Sequence, residues 1–554
     1  MPESLQRIKD IAQPHIDAEW NDLFNHERCI HQLENQILPV FLKRMRWFGG
    51  KARMITAIKI YQNIPLETAS SIARYLLLKV RYPDGPTEIY ALPVVFIHER
   101  FAGLGTFPAE AVIARIGEGN TAGYLIDGIS DEDFRNTLFM LMNKRQIQKG
   151  DHYPLLASSG KYLVKQGMPS TLKSVVMKAD QSNTSVLFND TFFLKLFRKV
   201  EYMINPDWEI VNFLTNQDKF HQIPAYAGSI ELQHPEKSPM LLVMLQQLIP
   251  NQGDAWKNTL AQLDHFFAQV IEREYHLGPL PLKPHVLNIS WDKTPEALQQ
   301  MIGEEVFHAA RLLGKRTAEF HLALIHADND PAFTPEDLDD VFQQKLLKEL
   351  MFQVDSKFDL LERNLHRVPF SMRDDATHMV KDKEKVKAFF SKVLEKPLQG
   401  KRIRLHGDYH LGQVLVADGD YYLLDFEGEP DKLHSERRDK YPSLKDVAGM
   451  MRSYRYAAYA TLFQNYQNDP ELQAKLIPVA DIWYHFVSRY FLGAYIEATQ
   501  NSGLIPSDDK VNDLLQIYSF QKAIYELGYE INNRPDWALI PLQSLVKFVK
   551  HYLD

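Results

Sequence analysis

The stretch RLHGDYHLGQVLVADGDYYLLDFEGEP, residues 404–430, carries the densest polar chemistry in this chain. Asp408, Gln413 and Asp425 stand among apolar residues that favour strands. The run Tyr421 to Asp425 ends in a carboxylate, followed at once by Phe426 and Glu427. Two carboxylates and an amide converging at hairpin ends suit a divalent cation that prefers oxygen, as magnesium does. Phosphoryl transfer needs such a set: one carboxylate orients and deprotonates the attacking hydroxyl, while another carboxylate and an amide hold the metal on the phosphates.

The spacing agrees with that chemistry. In the protein-kinase catalytic loop the base Asp precedes the metal-binding Asn by five residues. Here Asp408 precedes Gln413 by the same interval, and Asp425-Phe426 stands where the magnesium-binding Asp-Phe-Gly would be. Asp408 is the expected base, with Gln413, Asp425 and Glu427 as candidate metal ligands. Glu427 is equally suited to orienting Arg437 or Arg438. His406 and His410 read as hydrogen-bonding residues of the loop, since magnesium prefers oxygen.

Outward from this segment the chain changes texture. Residues 1–45 have helical periodicity, residues 54–125 read as strands, and Pro83-Asp84-Gly85 marks a hairpin turn. A short helix is expected at 131–146, opened by acidic residues. Residues 158–250 read as strands again (KYLVKQ, SVVMKA, SVLFND, TFFLKLFRK, AGSIELQ and PMLLVMLQQLI). One helix interrupts them at Asn205-Pro206, an N-cap followed by a first-turn proline. Beyond about residue 253 the pattern is mostly helical. The expected fold class is α+β: a bilobal protein-kinase-like fold with an N-terminal α+β cap. The cap is expected over 1–150, a strand-rich nucleotide lobe over 151–250 and a helical lobe over 251–554.

The motif HGDYHLGQ with DFEGEP resembles the maltokinase family, within the aminoglycoside-phosphotransferase-like small-molecule kinases. The wider group usually has Asn where Gln413 stands. RWFGGKAR (46–53), DQSNTSVLF (180–188), LKLFRKVEYMINPDWEI (194–210), LQQLIPNQGDAW (245–256), DVAGMMRSYRYAAY (446–459) and IYELGYEINNRPDW (524–537) extend the resemblance through nearly the whole chain. The resemblance implies ATP and Mg2+ as cofactors and transfer of the γ-phosphoryl group to the anomeric hydroxyl of maltose. The product, maltose 1-phosphate, would feed α-glucan synthesis. A trehalose synthase partner is also implied. The chain has no room for an amylase-like barrel beside a kinase, so that partner is expected as a separate protein.

Further site residues follow from position. Lys195 shares a strand face with Phe193 and Phe197, which directs it towards a cleft, where such a lysine pairs the α/β-phosphates. Glu209 is its expected carboxylate partner, with Glu201 and Asp207 as rivals. The glycine-free turn at Gln181, Ser182, Asn183, Thr184 and Ser185 is expected to cover the phosphates. The strand before Pro250 is the expected hinge, where Gln247 and Ile249 would flank adenine. For the sugar, Tyr525 and Tyr529, and Glu526 and Glu530, lie four apart on shared helical faces, with Arg534 beyond. Aromatic rings pack on a sugar's C–H face while carboxylates accept its hydroxyl protons. Asp446, Arg452 and Tyr456 form a second candidate set. RWFGGKAR is expected to dock the front unit against the strand lobe rather than to contact phosphate.

Composition bounds these readings. The 554 residues carry 63 Lys plus Arg against 71 Asp plus Glu, a net charge of −8 that argues against general nucleic-acid binding. Cys29 is the sole cysteine, which excludes an intrachain disulfide and a thiolate zinc cluster. The start does not read as a signal peptide, and ALPVVFI and MLLVML are far short of a membrane span. A cytoplasmic protein with no membrane association is expected. Two other readings fit the same residues: a related kinase acting on an aminoglycoside, choline or another sugar, and a pseudokinase that binds nucleotide without turnover.

Overall fold

The structure is a computed structural model, and it describes residues 14–20, 22–101, 107–177, 182–273, 286–325, 330–433 and 435–552. The chain forms two compact units. Residues up to 217 and 224–249 make the first; 218–223 and 250 onwards make the second.

The first unit holds two antiparallel-rich sheets. One contains β1 (His15–Ile16), β2 (Ala57–Glu67), β3 (Ile72–Arg81), β4 (Glu88–His98), β5 (Val112–Ile116) and β6 (Gly123–Asp127), in the order β1-β5-β6-β4-β3-β2. The helical segment 27–44 packs Leu33, Ile37, Phe41 and Leu42 into a core with Leu76, Leu78 and Leu92 of this sheet. The lone Cys29 is buried in the same cluster. Helix α1 (Glu132–Asn143) begins as expected: Asp131 accepts the backbone N–H of Phe134 at 2.8 Å, satisfying a first-turn donor.

The other sheet contains β7 (Ile147–Gln148), β8 (Leu155–Ser159), β9 (Ser174–Val176), β10 (Thr184–Phe188), β11 (Phe192–Leu196), β13 (Tyr226–Leu232) and β14 (Met240–Gln247), in the order β7-β8-β13-β14-β11-β10-β9. A further strand, β12 (Lys199–Val200), follows β11 directly in the chain and yet pairs with β4 of the first sheet. KYLVKQ, expected as a strand, is helix α2 (Lys161–Gln166). Gly160 opens it and Gly167, at φ +72°, closes it, and Leu163 is the one side chain it buries. Helix α3 (Pro206–Gln217) starts where the Asn-Pro pair places it, with Asn205 Oδ1 accepting from the Trp208 N–H at 3.1 Å.

The second unit is mainly helical: α4 (Ala255–Glu272), α5 (Glu304–Ile325), α6 (Asp340–Arg363), α7 (Leu444–Asn465), α8 (Pro470–Thr499), α9 (Asp508–Asn533) and α10 (Leu539–Tyr552) are its long helices. Two small sheets are set among them. One joins β15 (Glu336–Asp337), β16 (Lys401–Ile403) and β19 (Tyr441–Pro442). The other is the hairpin of β17 (Val414–Ala417) and β18 (Asp420–Leu423). Its two turn residues, Asp418 at φ +51° and Gly419 at φ +73°, are both left-handed, the geometry that matches the twist of a tight hairpin. Arg316 of α5 grips both carboxylate oxygens of Asp420 at 2.7 Å, fixing the hairpin to the helical body.

Candidate active site

Within the first unit, β11 alternates as its sequence requires. Phe192, Leu194 and Leu196 face the core, while Phe193 and Lys195 lie on the more open face. Lys195 Nζ donates to Asp207 Oδ2 at 2.7 Å. Asp207 is fully buried in the first turn of α3, where the free N–H groups and the helix dipole favour an anion. Asp207, one of the rivals to the expected Glu209, thus holds the lysine, and Glu209 lies buried in the same turn.

The turn expected over the phosphates divides. Gln181 lies outside the described residues. Ser182 and Asn183 lead into β10, and Ser185 faces Lys195 across the ladder. Thr184 departs from expectation: its hydroxyl accepts from Arg198 Nε at 2.8 Å and is committed inside the fold. At the expected hinge, Gln247 ends β14 with its backbone N–H on Ala225 O at 2.8 Å. Its side chain accepts from the Ala225 N–H, so the side chain is occupied by the sheet. Ile249 is buried and is the last residue of the first unit.

Within the second unit, the loop 404–413 is built around one buried carboxylate. Asp446, on α7, accepts the backbone N–H groups of His406 at 2.9 Å and Gly407 at 3.1 Å, and bonds His321 Nε2 at 3.1 Å. Asp446, expected as a substrate contact, thus also serves as a scaffold for the loop. Gly407 sits at φ +88° beside Gly428, and a Cβ there would press on the Gly428 Cα at 3.0 Å. His406 Nε2 bonds Leu424 O at 2.8 Å and His410 Nδ1 accepts the Gly412 N–H at 3.1 Å, the loop-bracing roles expected of both.

Asp408 points to a lysine. Lys522 of α9 lies 3.1 Å from Oδ1, and His410 Nε2 lies 3.8 Å from Oδ2. Burial opposes ionisation of Asp408, but Lys522 and the two histidines outweigh it and hold the carboxyl below its usual range. Burial likewise opposes the charge on Lys522, and Asp408, Glu429 and Glu526 raise its pKa above the ordinary lysine value. Burial lowers the pKa of His410 despite the pull of Asp408, so that imidazole is neutral near pH 7.

Gln413 Nε2 lies 3.3 Å from Asp425 Oδ2, bringing an amide and a carboxylate together. Asp425 adopts φ +62°, a conformation rare outside glycine that re-aims its side chain at the strand end. The atoms of these two residues that can ligate a cation are the Gln413 amide oxygen and the Asp425 carboxylate oxygens, which fit a hard cation such as Mg2+. Arg437 clips the following loop by its backbone, donating to the carbonyls of Pro430 at 2.8 Å, Lys432 at 3.1 Å and Glu427 at 3.4 Å.

Beside the loop lies a cavity of about 390 Å³, walled by Gly407, Tyr409, Glu429, Tyr441, Lys445, Tyr518, Lys522 and Tyr525 among others. Burial pushes the Lys445 ammonium down to about 8, against the attraction of Glu429 at 3.6 Å. Burial raises the Glu429 carboxyl, but Lys445, Lys522 and Lys432 together bring it below its ordinary value.

Of the expected sugar residues, Tyr525 and Asp446 line this cavity. Others are spent holding helices together. Arg452 pairs with Glu526 and donates to Ser544 Oγ at 2.7 Å. Tyr456 bonds Glu530, which also takes both arms of Arg534 at 2.9 and 2.6 Å. Tyr456 stacks on Trp537, and Arg534 lies over Trp537 at 4.7 Å and over the exposed Tyr529 at 5.8 Å. The four-residue spacing of the carboxylates is real, but it turns them to partners on α7 and at the C-terminal end of α9. Lys522, Glu429 and Lys445 were missed as site residues. Glu429 sits inside the DFEGEP motif and Lys445 precedes Asp446; Lys522 left a signal only as a charge four residues before Glu526.

Residues 41–131 match the model of the maltokinase N-terminal cap domain. The chain is 31% identical over 152 residues to a glucosamine kinase from Streptacidiphilus jiangxiensis, a match covering 27% of this chain and 32% of that relative. The matched stretch therefore spans about a third of that relative's length. A solved glucosamine kinase, crystal form B, aligns with 89% of this chain and 94% of its own at TM-score 0.58 and 17% identity. A glucosamine kinase in complex with glucosamine, ADP and inorganic phosphate aligns over 89% and 94% at TM-score 0.56 and 16% identity. The fold is α+β and kinase-like, with an N-terminal cap.

Proposed function

We propose that this protein is an ATP-dependent, Mg2+-requiring sugar phosphotransferase whose acceptor is the anomeric hydroxyl of maltose. The observation that carries the reading is Asp408, a partly buried carboxylate kept ionised by Lys522, beside a cavity that Lys522 and Tyr525 line. The sugar hydroxyl bonds to Asp408, which aligns its oxygen on the γ-phosphorus and takes its proton as the new O–P bond forms. The bond between the γ-phosphorus and the β,γ-bridging oxygen breaks, and ADP leaves with that oxygen. Lys195, held by Asp207, binds the α/β-phosphates. Gln413 and Asp425, with Glu427 two residues beyond Asp425, would hold Mg2+, which would neutralise charge on the transferring phosphates.

The charge pattern of the cavity favours a neutral acceptor. Glu429 lies near Lys432 and Lys445, Asp439 pairs with Lys345 at 2.7 Å, and Glu349 accepts from the Tyr441 hydroxyl. Its carboxylates are largely answered from within, which leaves little attraction for a polycationic aminoglycoside. The names of the relatives support glucosamine as a second acceptor to test. Maltose 1-phosphate would supply α-glucan synthesis, with a trehalose synthase as the implied source of maltose. No helix among the described residues is long and apolar enough to cross a membrane, and a cytoplasmic site of action fits the use of ATP.

A coupled ATP-consumption screen with maltose, glucose, trehalose, glucosamine and an aminoglycoside tests this. Magnesium-dependent formation of maltose 1-phosphate supports the reading. Turnover confined to glucosamine or the aminoglycoside overturns the maltose assignment, and nucleotide binding without any product overturns catalysis.

A further inference from the structure

The segment RWFGGKAR belongs to neither half of the site described above, yet its side chains converge on one place. Trp47 covers the guanidinium of Arg198 at 4.5 Å. Phe48 packs on Tyr90 with ring centroids 4.9 Å apart, and a Cβ on Gly50 would run into Phe48 and the Tyr82 hydroxyl. Arg53 reaches Glu88 at 3.1 Å, and Glu88 also accepts from Lys199 at 2.8 Å. That place is the crossover between the two sheets. Past Leu196 the chain leaves the second sheet, and Lys199 and Val200 pair with Tyr90 and Ile89 of β4. The strand that carries Lys195 therefore continues as part of the first sheet.

Arg198 sits at the crossover, 1% exposed. It donates to Asp127 Oδ2 at 2.7 Å at the end of β6, and to Thr184 Oγ1 at 2.8 Å at the start of β10. Its backbone carbonyl accepts from Ala91 N at 2.8 Å. One planar, always-charged fork thus joins the first sheet, the start of β10 and the end of β11, a geometry that lysine cannot reproduce.

We infer that Arg198 is a positioning residue through which the first sheet sets nucleotide affinity, holding Lys195 and the turn at 182–185 in register. Lys195 lies three residues upstream, on a strand tied at Arg198 to one sheet and by its own ladder to the other. Such a strand does not slide or tilt without breaking a buried charged bond. The inference rests on the reading of Lys195 as a phosphate contact.

The test is ADP binding to the full chain by calorimetry, beside sugar KM and thermal stability. Arg198→Lys and Thr184→Val weaken ADP binding about three- to tenfold, as loss of one or two charge-assisted hydrogen bonds would. Thr184→Ser restores the wild-type affinity, and sugar KM stays within about twofold in all three, since their contacts lie in the first unit. Lys195→Met is the control. If it weakens ADP binding while Arg198→Lys and Thr184→Val lower only stability, the inference is overturned and the nucleotide reading stands. If Lys195→Met has no effect, the nucleotide reading falls and the inference with it. Equal losses of sugar and nucleotide affinity in Thr184→Val would also overturn it.

Discussion

Each unit contains a lysine–carboxylate pair at the centre of its polar chemistry, and the two are built in opposite senses. In the first unit a fully buried carboxylate, Asp207, holds Lys195, whose own side chain is 15% exposed. In the second unit Lys522 holds Asp408, and both side chains are 20% exposed. The first arrangement presents a cation; the second keeps an anion ionised. A kinase needs both, one to bind phosphate and one to orient a hydroxyl. The same pair of residue types therefore does opposite work: the first pair seals its carboxylate and leaves the lysine partly open, while the second leaves both members open to the same degree.

The comparison breaks most sharply at Asp408. Asp408→Asn lowers kcat by about 10²–10⁴, the usual range for loss of a general base, with ATP KM little changed. An unchanged kcat would remove Asp408 from that role. Lys195→Met deletes the presenting member of the other pair and lowers kcat/KM for ATP about 10- to 100-fold, the scale of a charge-assisted bond. Loss confined to the sugar KM would contradict the assignment.

Lys522→Met sharpens the comparison through pH. Lys522 holds the Asp408 pKa down, so its removal moves the acidic limb of the kcat/KM profile to higher pH. In the wild type the folded pKa of Asp408 lies below its unfolded value. The stability it contributes is present above the unfolded pKa and is lost as pH falls through the folded one. A pH profile unaltered by Lys522→Met would show that the pair is not coupled to catalysis. The smallest effect on catalysis is expected at Glu526→Gln, which weakens a helix-to-helix pair with Arg452. It lowers Tm and leaves sugar KM within about twofold, because the Glu526 carboxylate is held by Arg452 and is not part of the cavity lining; a larger rise in sugar KM would return Glu526 to the acceptor site.

What the chain revealed in advance depended on how local the signal was. The catalytic loop and hairpin are written within 27 consecutive residues, and the five-residue spacing of Asp408 and Gln413 survives folding as one loop. The Asn205 cap is equally local. Partners across long separations were not legible: Lys522 reaches Asp408 over 114 residues, and Asp446 serves the loop from 39 residues away. Helical spacing correctly grouped Glu526 with Glu530 but carried no information on which neighbour would claim them. KYLVKQ failed for a related reason: its flanking glycines, not its β-favouring residues, set its conformation.

The crossing of β12 into the first sheet also bears on how this chain can be dissected. Removing the first 150 or so residues would not release an intact nucleotide-binding fragment. It would strip Lys199 and Val200 of their ladder partner and leave Arg198 without Asp127. An orphaned buried charge of this kind costs about 3–5 kcal/mol. The shortest autonomous fragment carrying Lys195 therefore includes the N-terminal sheet, and the piece that must fold together is larger than the sheet in which Lys195 lies.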